Sequence, residues 1–142
     1  MAQEWRYGSY PLYYTDAELN GTWNATAASV VSAMTVSSGD FTFTSTGIYR
    51  VFSSNSTNRI SNESRYFTIQ TYLSTDSGSN FSLQRENYSN INNDASSHTT
   101  FTNSVMLDIT NTSTHKVKFK VASETQVALS TTYVQFFKLG DT

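Results

Sequence analysis

The chain has 142 residues, of which 37% are hydrophobic, 14% aromatic and only 14% charged, with a formal net charge of −2 and no cysteine. That length suits one domain with its own core, and the aromatic content argues against disorder, because disordered chains are charge-rich and aromatic-poor. The charge balance offers no basic face for nucleic acid, the missing cysteines exclude a disulfide framework and thiolate metal sites, and no apolar run reaches membrane-spanning length.

Residues 1–20, MAQEWRYGSYPLYYTDAELN, hold Trp5, Tyr7, Tyr10, Leu12, Tyr13 and Tyr14 together with the only proline, Pro11. Proline removes a backbone donor and Gly8 weakens helical order, so the segment predicts an extended arm over 1–22, preceding a domain at 23–142. Such an arm either lies over the domain as a first strand or reaches a neighbouring subunit. The segment 22–37, TWNATAASVVSAMTVS, predicts a strand around Val30 to Val36, and Ser38-Gly39-Asp40 a turn. Phe41 to Phe52, FTFTSTGIYRVF, is the centre of the chain. Phe41 and Phe43 alternate with Thr42 and Thr44, Ser45-Thr46-Gly47 breaks the run, and Ile48 to Phe52 is β-forming again, which predicts a hairpin.

Ser53 to Ser64 reads as a polar loop, Arg65 to Thr75 as a long strand, and Asp76-Ser77-Gly78 as a turn. Asn80 to Glu86 predicts a strand, and Asn87 to Ser97 the longest polar loop. Thr99 to Thr110 predicts another strand, and Asn111 to Thr114 a turn. In His115 to Val121, Val117, Phe119 and Val121 alternate with Lys116, Lys118 and Lys120, a lysine row suited to an exposed face or an edge strand. Gln126 to Leu139 closes the domain around Tyr133-Val134-Gln135-Phe136-Phe137.

About ten short strands, polar turns and no βαβ spacing predict an all-β fold, an antiparallel β-sandwich of jelly-roll type. Ile48 and Phe52 oppose Tyr49 and Val51, and Val134 and Phe136 oppose Tyr133 and Phe137. A lone antiparallel sandwich has one wet face per sheet, so two-sided strands predict a homo-oligomer, with Ile48, Phe52, Val134 and Phe136 as interface candidates.

The order of these signals resembles the globular-head family shared by complement heads and tumour necrosis factor. The resemblance rests on FTFTSTGIYRVF at 41–52, VMLDITNTSTHKVKFKV at 105–121 and TTYVQFFKL at 131–139, with Phe43, Gly47 and Tyr49 at the family's Phe–turn–Gly–Tyr positions. Asn111-Thr112 stands where the family often has Gly-Asp. The resemblance implies a TNF-like jelly roll packed as a trimer through aromatic and aliphatic side chains, and no catalytic residues. Heads similar to these occur in tailed-phage virions, as capsid decorations and as fibre tips.

No motif points to catalysis or to a cofactor. His98 and His115 have no metal-ligand spacing, there is no Gly-X-Ser-X-Gly elbow, and both histidines are expected to face solvent. Asp76 and Asp94 lie in polar loops without a calcium-ligand ladder. Seven Asn-X-Ser/Thr triplets (at Asn20, Asn24, Asn55, Asn62, Asn80, Asn87 and Asn111) are the chance product of a composition more than one-third Ser, Thr and Asn. Tyr88, with Arg85, Asn87, Asn90 and Asn92, has the aromatic and amide chemistry of a glycan site. The N-terminus lacks the apolar core of a signal peptide.

The expectation is a non-enzymatic structural virion protein, made in a host cytoplasm. It would be a trimeric capsid decoration, or cement, protein binding across the major capsid protein, with Trp5, Tyr7, Tyr10, Tyr13 and Tyr14 as arm contacts. It would have no cofactor, no metal, no nucleic-acid partner and no membrane insertion. The alternative is a receptor-binding head of a tail or fibre recognising host surface glycan. A secreted cytokine-like or complement-like ligand is third.

Overall fold

The computed structural model describes residues 2–7, 12–19, 21–25, 34–59, 66–90 and 98–142, and the side chains of 18–19, 21–24, 34–56, 66–90, 99–100, 102–122 and 132–142. Ten strands are present and no helix occurs among the described residues: β1 (Ala2–Tyr7), β2 (Leu12–Glu18), β3 (Trp23–Ala25), β4 (Met34–Ser37), β5 (Asp40–Phe43), β6 (Gly47–Arg59), β7 (Tyr66–Ser74), β8 (Ser82–Asn90), β9 (His98–Ile109) and β10 (Lys116–Gly140).

Antiparallel ladders sort them into two layers that share β10. One runs β3–β1–β10–β6–β9 through the C-terminal half of β10. The other runs β4–β5–β10–β7–β8 through its N-terminal half, with β2 also beside β10. Because β10 is 25 residues long and serves both layers, all ten strands are hydrogen-bonded into one network. The result is the expected all-β jelly-roll sandwich.

The stretch expected as a hairpin is a corner between the layers. β5 pairs with β4 and β10, whereas β6 pairs with β9 and the other half of β10. A hairpin would set Phe41, Phe43, Tyr49 and Val51 side by side in one sheet. The corner lets them face one another across the interior, where all four are buried. Gly47 starts the new strand at φ +147°, a conformation L side chains rarely adopt. The Tyr49 hydroxyl donates to the Ser45 carbonyl at 3.0 Å and lies 2.9 Å from Ser45 Oγ, tying the strand back to the corner it leaves. Tyr49→Phe keeps the buried ring and removes that tie, so thermal or urea unfolding should show a loss of about 1 kcal/mol, the usual net worth of one such hydrogen bond.

The core is an aromatic cluster. Phe41 meets Trp23 at 5.2 Å, Phe136 at 5.1 Å and Phe119 at 5.7 Å between ring centroids, and Phe43 meets Tyr49 at 4.7 Å. The contacts are edge-on or tilted, the geometries favoured by the ring quadrupole. Trp23 Nε1 donates to the Leu19 carbonyl at 2.9 Å, so its one polar atom is satisfied inside. Few apolar residues are needed because each ring removes a large area from water.

Four expectations are corrected. The polar loop from Ser53 is strand as far as Arg59, because β9 and β10 pair with it on both sides, and Ser53 and Asn55 are buried. The polar stretch from Asn87 is strand as far as Asn90. The lysine row lies on a central strand, not an edge, and its face, opposite the buried Val117, Phe119 and Val121, is half-buried rather than exposed. Lys118 Nζ stands 4.1 Å over the Phe81 ring and Lys120 Nζ 5.0 Å over Tyr72, and Glu18 accepts from Lys118 at 2.6 Å. That hydrogen bond is the main cause holding the Glu18 carboxyl below its ordinary value, so its contribution is present above the unfolded pKa and is lost as pH falls through the folded one. His115 is buried, with Nδ1 3.1 Å from Thr114 Oγ1, rather than solvent-facing. The strand expected around Val30 to Val36 falls largely outside the described residues, β4 beginning at Met34.

Candidate functional site

The outer face of the β10–β6–β9 layer is the first candidate. Strand geometry alternates side chains, so the ladder assigns faces directly. Phe136 stands opposite Val51, and Val134 opposite Ser53, and all four point into the core. At 0% and 1% exposure, Val134 and Phe136 are inside their own chain and cannot be interface residues. Ile48 and Phe52 have the other parity and are half-buried. Their outward companions are Tyr133, Gln135 and Phe137 on β10 and Met106 on β9, the last 54% exposed. Gln135 carried the signal that was missed: a polar residue sharing its parity with Tyr133 and Phe137 marks the outer face.

This face combines aromatic rings with fixed polar side chains. Phe52 and Tyr133 rings lie 6.3 Å apart, inclined by 41°. Arg50, Phe52, Gln135 and Phe137 line a hollow of about 150 Å³. Arg50 Nε donates to Ser104 Oγ on β9 at 3.0 Å, which holds the guanidinium across the face.

The second candidate lies on the outer face of the β7–β8 pair. The glycan candidates divide here, because β8 is a strand and alternation separates them. Tyr88 shares a face with Glu86 and Asn90, while Arg85 and Asn87 belong to the opposite one. Asn87 Nδ2 donates to the Thr102 carbonyl at 2.7 Å, and Asn103 Nδ2 to the Arg85 carbonyl at 3.2 Å, so these amides stitch β8 to β9. Asn92 lies outside the described residues. Tyr88 is 60% exposed and meets Tyr66 edge-on at 5.6 Å. A relay links it to neighbours sequence reasoning did not single out: Tyr88 donates to Glu86 at 3.1 Å, Gln70 Nε2 to the other Glu86 oxygen at 3.1 Å, and Tyr72 to Gln70 Oε1 at 3.3 Å. The Glu86 hydrogen bond is the first cause raising the Tyr88 hydroxyl above its ordinary value.

The N-terminal candidates are placed by backbone. Trp5 and Tyr7 belong to β1, bonded to β10 on one side and β3 on the other, and Tyr13 and Tyr14 to β2 against β10. Tyr10 lies outside the described residues. The ladders thus carry 2–7 and 12–18 into the same network as the rest of the chain.

Asp76 closes the β7–β8 turn rather than offering an open carboxylate. Asn80 donates through Nδ2 at 2.7 Å and through its backbone N–H at 2.9 Å, and Ser74 Oγ donates at 2.7 Å. These bonds, the Asn80 side chain first, hold the carboxyl down to about 2. An NMR titration of the Asp76 carboxyl should therefore show a midpoint near that value, with the turn intact above it and loosening as pH falls through it. Asp94 lies outside the described residues. Among the described residues no group of three or more His, Asp or Glu is placed to hold a metal ion, and no helix is long and apolar enough to cross a membrane.

This geometry has solved counterparts. Eiger TNF from S. frugiperda superposes with a TM-score of 0.74 at 12% identity, over 100% of this chain and 94% of that one. Murine APRIL at pH 5.0 superposes with a TM-score of 0.66 at 9% identity, over 98% of this chain and 100% of that one, and murine APRIL at pH 8.5 with 0.61 at 11%, over the same shares. The fold is therefore a TNF-like jelly roll, as the resemblance implied. No family model and no curated protein matches the sequence.

Proposed function

We propose that the chain acts as a non-catalytic homotrimer, with the outer face of the β10–β6–β9 layer turned toward a threefold axis, and that the trimer is a capsid decoration protein of a tailed-phage virion. The observation that carries the trimer is that Phe52, Tyr133, Phe137 and Met106 share one outward face, around Arg50 and Gln135, the aromatic, Met and Arg composition that marks interface cores. The decoration reading is supported by a cysteine-free, low-charge chain rich in Ser, Thr and Asn. Its mechanism is linkage: trimers that bind only the assembled shell, across neighbouring major capsid subunits, stabilise that shell. Quantitative mass spectrometry of purified particles tests it. Abundance comparable to the major capsid protein supports decoration, and absence from particles rules it out.

A second reading, a receptor-binding head for host surface glycan, is favoured by the Tyr72–Gln70–Glu86–Tyr88 relay. It presents an exposed ring beside a fixed carboxylate and amide, the groups that stack on and hydrogen-bond to a sugar. A few trimers per particle, with glycan binding lost in Tyr88→Ala, would select it.

For the trimer face, Phe52→Glu places a charge where the proposal buries an aromatic ring. The expected outcome is dissociation to folded monomers, because Phe52 is only half-buried in the single chain, whereas a carboxylate there, even beside Arg50, must be desolvated when the interface forms.

A further inference from the structure

The interior of the sandwich is not apolar throughout. Beyond Val51 and Val134, the inner face of the β10–β6–β9 layer turns polar, with Ser53, Asn55, Asn103 and Thr132 all at most 4% exposed. The register makes them neighbours. Ser53 stands opposite Asn103, Asn55 stands opposite Thr132, and Ser53 and Asn55 are two residues apart on one strand. Among the described residues, five of their side-chain atoms have no hydrogen-bond partner: Ser53 Oγ, Asn55 Nδ2 and Oδ1, Asn103 Oδ1 and Thr132 Oγ1. Asn103 Nδ2, by contrast, donates to the Ile69 carbonyl at 3.3 Å and to the Arg85 carbonyl at 3.2 Å, so its amide is anchored with Oδ1 as its unpartnered end.

We propose that this end of the sandwich is an internal hydration site, in which ordered water bridges Ser53, Asn55, Asn103 and Thr132. Buried polar atoms are nearly always satisfied, and a dry cluster of five carries a desolvation penalty that bridging partners remove. None of the four side chains is ionisable, so an ion held there would be buried without a counter-charge, whereas water supplies both donors and acceptors. At about three hydrogen bonds per buried water, the five atoms call for about two molecules. The site is independent of the trimer and of the virion role, since every residue in it faces the chain's own interior.

Water ¹⁷O relaxation dispersion on the intact protein tests it, with Ser53→Ala/Thr132→Val as the comparison. The wild type is expected to hold about two long-lived water molecules, and the double variant fewer. No long-lived water, or no difference between the two proteins, overturns the proposal. If the double variant does not fold, the near-isosteric Thr132→Val alone is read in the same way. Its thermal midpoint is a second reading. A hydrated site predicts a fall of a few degrees as a water loses a partner, and a rise would show that Thr132 Oγ1 was buried dry and overturn the proposal.

Discussion

Phe136→Ala should cost about 3–5 kcal/mol of unfolding free energy, the range for truncating a large aromatic in a packed core. Phe136 is 1% exposed and sits where the two layers meet. Its ring contacts Phe41 at 5.1 Å, Phe43 at 6.1 Å and Phe119 at 6.3 Å. Those partners come from β5 and from the other half of β10, so the cavity left by truncation opens between the two layers. A loss of that size is a large part of the 5–15 kcal/mol that typically holds a domain together. Leu139→Ala is the control: it lies on the same strand, is 58% exposed and is not among the residues placed in the trimer face. Urea unfolding of both at equal protein concentration should separate them clearly. A Phe136→Ala loss under about 1 kcal/mol would mean that the parity assigned to β10 is wrong.

Gly47→Ala should cost about 2–4 kcal/mol, from strain and crowding together. A Cβ at Gly47 would fall 2.5 Å from the Gly140 carbonyl oxygen and 2.5 Å from Lys138 Cε. The lysine can swing away, but the carbonyl belongs to a ladder strand and cannot move alone. The residue also stands at φ +147°, so an alanine is strained even without the clash. Gly140→Ala provides the contrast. Nothing lies within 4 Å of a Cβ there, and the change should stay within about 0.5 kcal/mol of neutral. Equal effects at the two glycines would contradict the corner geometry.

The sequence made the fold class legible because alternation is strong where it matters. Phe41/Phe43, Val117/Phe119/Val121 and the aromatic last strand all lie in strands, and the first two sets face the core. It hid the connectivity. Ser45-Thr46-Gly47 is equally good chemistry for a hairpin and for a corner, and only the burial of Phe41, Phe43, Tyr49 and Val51 from opposed layers decides between them. It hid the length of β6, because Ser53 to Arg59 has poor intrinsic strand preference and becomes strand through two flanking ladders. The candidate site was half legible. Ile48 and Phe52 have the outward parity, but Val134 and Phe136 were assigned one residue out of step, which moves a set of side chains to the opposite face. The glycan candidates divided for a related reason: residues adjacent in a loop can converge on a ligand, but in a strand they part to two faces.

Sedimentation equilibrium on the wild type and on Phe52→Glu decides whether an aromatic sheet face joins three chains. Three chain masses are expected for the wild type and one for the variant, with the far-ultraviolet circular dichroism of the two superimposable. A wild type that sediments as a single chain across the micromolar range would contradict the trimer.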